Sequence, residues 1–274
     1  MHKEISWITQ DNIKIFALEW SPEKKATHCV TLIHGLGEHI GRYQDFASYF
    51  NSKSAVVTAL DLRGHGKTAG LRGHIPSWNA VLEDISTLVS RNAKQYPGIP
   101  QFIYGHSMGG TIALSYVLNK KPKIEGIITS APMISTYEPV SPIKLDLAKL
   151  MNRLMPSFSM DNGLNRNVLS KDVAVIDKYN HDPLVHGKIS ARLGWSFIET
   201  GQDLLANASR FPLPLLMMVG SDEKIVSRDD IKRFTDSAPK SEYKIWPGLY
   251  HELHNEPEWK EVLDYAENWM SKFI

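Results

Sequence analysis

The sequence predicts an α/β fold built on a mostly parallel, doubly wound sheet with an inserted run of helices. Three observations carry this. Short apolar runs rich in β-branched residues recur along the chain, and stretches with helical spacing separate most of them. One region, residues 132–210, breaks that rhythm. Strands covered on both faces read as continuous apolar runs, and their alternation with helices is the mark of parallel crossovers. At 274 residues, 42% hydrophobic and 22% charged, the chain is long enough to bury the core such a sheet needs as a single domain, 1–274.

Taken in order, two alternating segments open the chain, Lys3–Thr9 and Ile13–Trp20. Gln10-Asp11-Asn12 joins them as the turn of a β-hairpin. Buried-strand candidates follow at Cys29–Ile33, Ala55–Leu60, Gln101–Tyr104, Ile124–Thr129, Leu213–Val219 and Glu242–Trp246, making an eight-stranded sheet with the hairpin. Helical spacing marks Trp78–Gln95, Gly109–Asn119 and Arg228–Asp236. Within 132–210 no strand is predicted. Helical pieces at Ile143–Leu154, Lys171–Asn180 and Ile189–Asn207 are separated by Pro156, Gly163 and Pro183. The first piece is densely apolar. It reads either as a subdomain packing its own small core or as a lid whose apolar face meets an acyl chain or lipid surface.

The formal charge of +1 lacks the basic excess by which nucleic-acid binders neutralise phosphates, so no nucleic-acid partner is expected. Cys29 is the single cysteine; with no intrachain disulfide possible, a cytoplasmic location is expected. The first residues, Met1 to Trp7, hold no apolar stretch of the kind a secretory signal needs, and no segment approaches the ~20 apolar residues of a membrane span. A soluble protein that touches a membrane surface transiently remains compatible with this composition. No obligate protein partner is predicted.

Gly105-His106-Ser107-Met108-Gly109 carries the chemistry. A bare G-x-S-x-G is a weak signal; its surroundings decide. Ile103-Tyr104 ends a predicted strand and Thr111 to Tyr116 begins a predicted helix, which is the strand–serine–helix order a nucleophile elbow requires. Glycines at 105 and 109 let neighbouring backbone pass a strained serine without a Cβ clash. The hydroxyl then lies at the carboxyl edge of the sheet over a helix N-terminus, and the Met108 amide faces the same point as an oxyanion donor.

A serine needs a base within reach. Among 11 histidines, a fold with this elbow places the base near the C-terminus, after the last strand. His251 follows that strand by a short loop; His254, one turn further on, is expected in solvent. The acid belongs after Leu213–Val219, in a loop that reads Gly-x-x-acid-x-(Ile/Val)-Val. Gly220-Ser221-Asp222-Glu223-Lys224-Ile225-Val226 puts Glu223 in that place, with Asp222 as the alternative. The second oxyanion amide is expected from Leu36, the residue after His34-Gly35, while His34 reads as a structural residue bonding within its loop.

Other motifs carry nothing. Gly66-Lys67-Thr68 resembles the end of a phosphate loop, but Asp61 stands where its first glycine belongs. His251-Glu252-Leu253-His254 spaces its histidines three apart, one short of the zinc-binding H-E-x-x-H. No metal and no cofactor are expected.

Four stretches together resemble the monoacylglycerol lipase and lysophospholipase branch of the α/β-hydrolases, the serine-aminopeptidase-like family, over nearly the whole chain. They are His34-Gly35-Leu36-Gly37-Glu38-His39-Ile40-Gly41-Arg42-Tyr43, Asp61-Leu62-Arg63-Gly64-His65-Gly66, Tyr104 to Gly110, and Tyr179-Asn180-His181-Asp182-Pro183-Leu184-Val185. The resemblance implies a carboxylic ester hydrolase acting through an acyl-enzyme on glycerol monoesters or lysolipids. It also implies a cap (132–210) over an acyl tunnel, for which Leu147, Leu150, Met151 and Leu184 are the candidate lining. It supports Leu36 and Met108 as oxyanion donors. Relatives mostly carry aspartate where Glu223 falls. The competing readings are a short-chain carboxylesterase, an aminopeptidase-type hydrolase and a non-catalytic binding scaffold.

Overall fold

The computed structural model describes residues 2–274. The chain begins with β1 (His2–Ile8) and β2 (Lys14–Trp20), paired antiparallel as the hairpin pattern requires. Then come β3 (His28–Ile33), α1 (Gln44–Ser52), β4 (Ala55–Leu60), α2 (Trp78–Gln95), β5 (Gln101–His106), α3 (Met108–Lys120) and β6 (Gly126–Ser130). The insertion contributes α4 (Pro142–Leu154), β7 (Ser159–Asp161), α5 (Val173–His181), β8 (Lys188–Ser190) and α6 (Ala191–Asn207). The chain closes with β9 (Leu215–Gly220), α7 (Arg228–Ser237), β10 (Ser241–Trp246) and α8 (Trp259–Met270).

The main sheet has eight strands in the order β1-β2-β4-β3-β5-β6-β9-β10. Only the β1–β2 and β2–β4 pairings are antiparallel, so β2 alone runs against its neighbours. The expected mostly parallel, doubly wound sheet is borne out. Its physical basis is the period-2 alternation of a strand covered on both faces. Along β9, Leu215, Met217 and Val219 join the core shared with α2, α3 and α7, while Leu216 and Met218 join the core shared with α1 and α8. Phe102 and Tyr104 of β5 face the second core and Ile103 the first. Each such side chain contributes about 1.5–3 kcal/mol by burial. Sequence spacing leaves α1 unpredicted, although Phe46, Ala47 and Phe50 give it a buried face.

The insertion departs from expectation in one respect. Ser159–Asp161 and Lys188–Ser190 pair as a small antiparallel sheet where no strand is predicted. Three residues are too few to show alternation, and the partners lie far apart in sequence. The end helix of the insertion belongs to the main body: Leu193 and Leu204 of α6 are buried in the core of α2 and α3. By contrast α4, which packs on α6, has no buried residue. Its apolar positions Ile143, Leu147, Leu150 and Leu154 stand 81%, 56%, 51% and 66% exposed.

Candidate active site

Ser107 sits between β5 and α3 with φ 52° and ψ −116°, a backbone conformation disfavoured for any residue with a side chain. The turn is held by the Ser107 N–H donating to the Ser130 carbonyl at 2.9 Å and by the Gly110 N–H donating to the Ser107 carbonyl at 2.9 Å. It is possible only because its flanking positions carry no side chain. A Cβ at Gly105 would stand 2.4 Å from the Gly109 carbonyl oxygen, and one at Gly109 would stand 2.0 Å from that of Ile33. The elbow's strain is therefore set by close packing of β5, α3 and the end of β3.

Glu223 and His251 are joined. His251 Nδ1 lies 2.7 Å from Glu223 Oε2, and both residues are buried. The other carboxylate oxygen, Oε1, accepts from the N–H groups of Ile225 at 2.6 Å and Val226 at 3.2 Å. Burial pushes the Glu223 carboxyl up, but the charge and hydrogen bond of His251 and these two amides outweigh it and hold the group below its ordinary range. Burial lowers the proton affinity of His251; the Glu223 charge and hydrogen bond, helped by Glu252 and Glu38, reverse the sign and raise it. Asp222 is exposed and bonded to Ser221, so the structure brings Glu223 and not Asp222 to the histidine.

Ser107, His251, Gly35 and Leu36 line one cavity of about 620 Å³, within the range of small-molecule sites. The HGLG loop lies against the elbow: a Cβ on Gly35 would meet the Ser107 Cβ at 3.4 Å. Met108 begins α3, where a helix leaves its first amides without intrahelical partners. Among the described residues, neither the Met108 nor the Leu36 N–H donates to a protein acceptor. His34 is structural, as expected. Its Nδ1 lies 2.7 Å from the Gly35 carbonyl and its Nε2 accepts from the Leu62 N–H at 2.9 Å.

Two expectations are corrected. His254 is not in solvent: it is 4% exposed, stacked on Tyr43 at 4.7 Å and edge-on to His106 at 4.7 Å. The loop after β10 turns inward through a short 3-10 turn, Leu253–Asn255, before α8 begins, so no surface helix exists at that point. Burial holds the His254 ring neutral, with its pKa down to about 3. Second, Leu147, Leu150, Met151 and Leu184 do not line the cavity. The apolar stripe of α4 faces outward, and the apolar wall is formed by Met133, Tyr137, Val140, Val168, Leu169 and Ile225. Amphipathic spacing identifies a stripe but not the side on which its partner stands.

Sequence reasoning passed over Glu38, Arg42 and Glu252, which form a buried network beside Ser107 and His251. Glu38 stands in the quoted His-Gly-x-Gly-Glu-His stretch, but its link to Glu252 runs through Arg42 across 210 positions of sequence. Among the described residues, no group of three or more His, Cys, Asp or Glu is placed to hold a metal ion.

Residues 24–258 match the serine aminopeptidase S33 (Hydrolase_4) family. The chain belongs to this family. It is 33% identical over 270 residues to a monoacylglycerol lipase of Mycolicibacterium smegmatis, covering 97% of this chain and 96% of that one. It is 38% identical to an uncharacterized abhydrolase domain-containing protein of Dictyostelium discoideum, over 97% of this chain but 29% of that longer protein. Among solved structures, a monoacylglycerol lipase of Paleococcus ferrophilus superposes with a TM-score of 0.85 at 30% identity, covering 93% of this chain and 98% of that one. The expected α/β-hydrolase fold and kinship with monoacylglycerol lipases are both borne out.

Proposed function

We propose that this α/β-hydrolase is a carboxylic ester hydrolase that cleaves monoacylglycerols through an acyl-enzyme on Ser107. The observation that carries the reading is the buried Glu223–His251 pair opening onto the same cavity as a serine in a strained elbow. Its support from kinship is the full-length similarity to monoacylglycerol lipases.

The chemistry follows from the groups present. Neutral His251 takes the Ser107 proton on Nε2 while its Nδ1–H keeps donating to the Glu223 carboxylate, which stabilises the imidazolium as it forms. Ser107 Oγ attacks the ester carbonyl, and the Leu36 and Met108 amides receive the developing oxyanion. His251 then protonates the departing glycerol oxygen. In the second half it activates water to hydrolyse the acyl-enzyme. Residues 132–210 act as a cap over the acyl chain, which lies against Met133, Val140, Leu169 and Ile225. The outward stripe of α4, Ile143-Leu147-Leu150-Leu154, rests transiently on the lipid surface that supplies the substrate. The substrate is a small lipid ester. Among the described residues no helix is long and apolar enough to cross a membrane.

The test is a hydrolysis panel with purified protein: monoacylglycerols of graded chain length, lysophospholipids, short-chain esters and aminoacyl substrates, each with wild type and Ser107→Ala. Preference for medium or long monoacylglycerols, abolished in the variant, supports the reading. Preference for aminoacyl or short-chain substrates, or activity retained in the variant, overturns it.

A further inference from the structure

Two buried carboxylates and one guanidinium stand between the loop that carries Leu36 and the loop that carries His251. Glu38 Oε1 accepts from the Gly35 N–H at 2.7 Å and from the Tyr43 hydroxyl at 2.7 Å. Its Oε2 accepts from Arg42 Nη1. Arg42 also donates to Glu252, Nη1 to Oε1 at 2.9 Å and Nη2 to Oε2 at 2.7 Å. Glu252 follows His251 directly in the chain and takes a further hydrogen bond from the Asn255 side-chain amide at 2.7 Å. A continuous set of charge-assisted bonds thus runs from the Gly35 amide to the residue beside the base.

A buried carboxylate–guanidinium–carboxylate group is weak evidence for stability, because desolvation takes back most of its Coulombic gain. Where its ends attach is more informative. The Gly35 N–H is held by Glu38 and the Gly35 carbonyl by His34. His34 Nε2 accepts from Leu62, so its proton resides on Nδ1 and is donated to Gly35. In a planar trans peptide the next N–H points opposite to that carbonyl, so the Leu36 amide is aimed away from His34. Oxyanion donors act only when their direction is fixed beforehand, and the base must be fixed relative to them.

We propose that Glu38 is a positioning residue for acyl transfer: through Gly35 on one side and Arg42–Glu252 on the other, it locks the Leu36 oxyanion loop and the His251 loop into one unit. The proposal rests on the reading of Ser107 and His251 given above. The network also leaves one net negative charge beside the imidazole, because Arg42 balances only one of its two carboxylates. The groups that act on His251 are Glu223 from the loop after β9, His106 at the end of β5, Glu252 on its own loop and Glu38 from the loop after β3, with His254 packed behind His106 and Arg42 bonded to both Glu38 and Glu252. Lys224 and Lys144 stand at the same cavity and Tyr179 reaches it from the cap, 4.6 Å below the Arg42 guanidinium. Burial keeps His106 and His254 neutral, so the charged neighbours that Glu38 acts beside are Glu223, Glu252, Arg42 and the two lysines.

The test compares Glu38→Gln and Arg42→Lys in the full chain, by ester hydrolysis from pH 5 to 9 and by urea unfolding, beside wild type and Ser107→Ala. Glutamine puts an N–H opposite the Arg42 donor and removes the charge. The expected result is a kcat at least about 30-fold lower with KM within about twofold, since the loss falls on the transition state. The acid limb of kcat/KM should also move to lower pH. Lysine keeps the charge but not the fork, so Arg42→Lys should lower kcat without moving the acid limb. Wild-type kcat and a superimposable pH profile in a folded Glu38→Gln protein would overturn the proposal. So would losses in both variants that merely track the fraction folded, or recovery of both only as unfolded chains, which would make the network a folding element. If wild type and Ser107→Ala behave alike, the reading of the site fails and the positioning role falls with it. If they differ but Glu38→Gln matches wild type, only the positioning role fails.

Discussion

Replacing Glu223 with glutamine changes one heavy atom, an oxygen to an NH2 nitrogen, and reverses the chemistry of the base. Glu223 Oε1 accepts from the Ile225 and Val226 N–H groups, donors that can be satisfied only by a lone pair. In Glu223→Gln those amides select the side-chain carbonyl oxygen for that position. The NH2 group is thereby placed where Oε2 stands, 2.7 Å from His251 Nδ1. An N–H facing Nδ1 requires a lone pair there, so the imidazole proton moves to Nε2, the atom that must accept from Ser107. The base is then in the wrong tautomer with its geometry intact. An equivalent change in a serine protease triad lowers kcat by about 10⁴, or about 5.4 kcal/mol at 1.36 kcal/mol per decade. Steady-state hydrolysis of a p-nitrophenyl ester should show a kcat loss of that order for Glu223→Gln, with KM within a few-fold. Asp222→Asn, on the exposed neighbour, should stay within twofold of wild type. A Glu223→Gln protein within tenfold of wild type, or a large loss in Asp222→Asn, would refute the assignment of the acid and the tautomer argument with it.

Three further outcomes follow from the same geometry. Because Glu223, Glu252 and Glu38 outweigh burial and raise the pKa of His251 above its ordinary 6.5, the neutral base exists only above that raised value. Activity should therefore rise with pH through an acid limb centred above 6.5, and a kcat/KM profile centred at or below pH 6 would contradict it. Gly109→Ala forces a Cβ to within 2.0 Å of the Ile33 carbonyl oxygen, where backbone on both sides is fixed. Urea unfolding should register a loss of at least about 3 kcal/mol, the upper range for overpacking, and a loss under 1 kcal/mol would show that the elbow tolerates movement. Ile143→Ser with Leu154→Ser removes exposed apolar groups from α4. Stability should change by no more than about 0.5 kcal/mol per site and hydrolysis of a water-soluble ester by less than twofold, while flotation with lipid vesicles should fall. Unchanged vesicle binding would dismiss α4 as the lipid-facing surface.

The parts of the site legible in the sequence are those with short-range signatures. Ser107 lies between a β-branched strand and a helix, and its glycines are required because a Cβ there would stand 2.4 and 2.0 Å from backbone carbonyl oxygens. Glu223 was readable because Ile225 and Val226 follow at fixed offsets and supply the amides that hold it. The sheet was readable because strands covered on both faces carry unbroken apolar runs. What was hidden depends on tertiary partners. The burial of His254 is decided by Tyr43 and His106, distant in sequence, and the Glu38–Arg42–Glu252 network exists only once two remote loops meet. The direction of the α4 stripe is likewise a property of how α4 packs on α6, not of the spacing of Ile143, Leu147, Leu150 and Leu154.

The claim on which the rest depends is that Ser107 Oγ carries the acyl group. Intact-protein mass spectrometry with peptide mapping after reaction with a fluorophosphonate probe addresses it directly. The account predicts one adduct, mapped to Ser107, formed with loss of esterase activity in step and absent from Ser107→Ala. An adduct on another residue, or full hydrolytic activity in protein whose Ser107 is fully labelled, would contradict it.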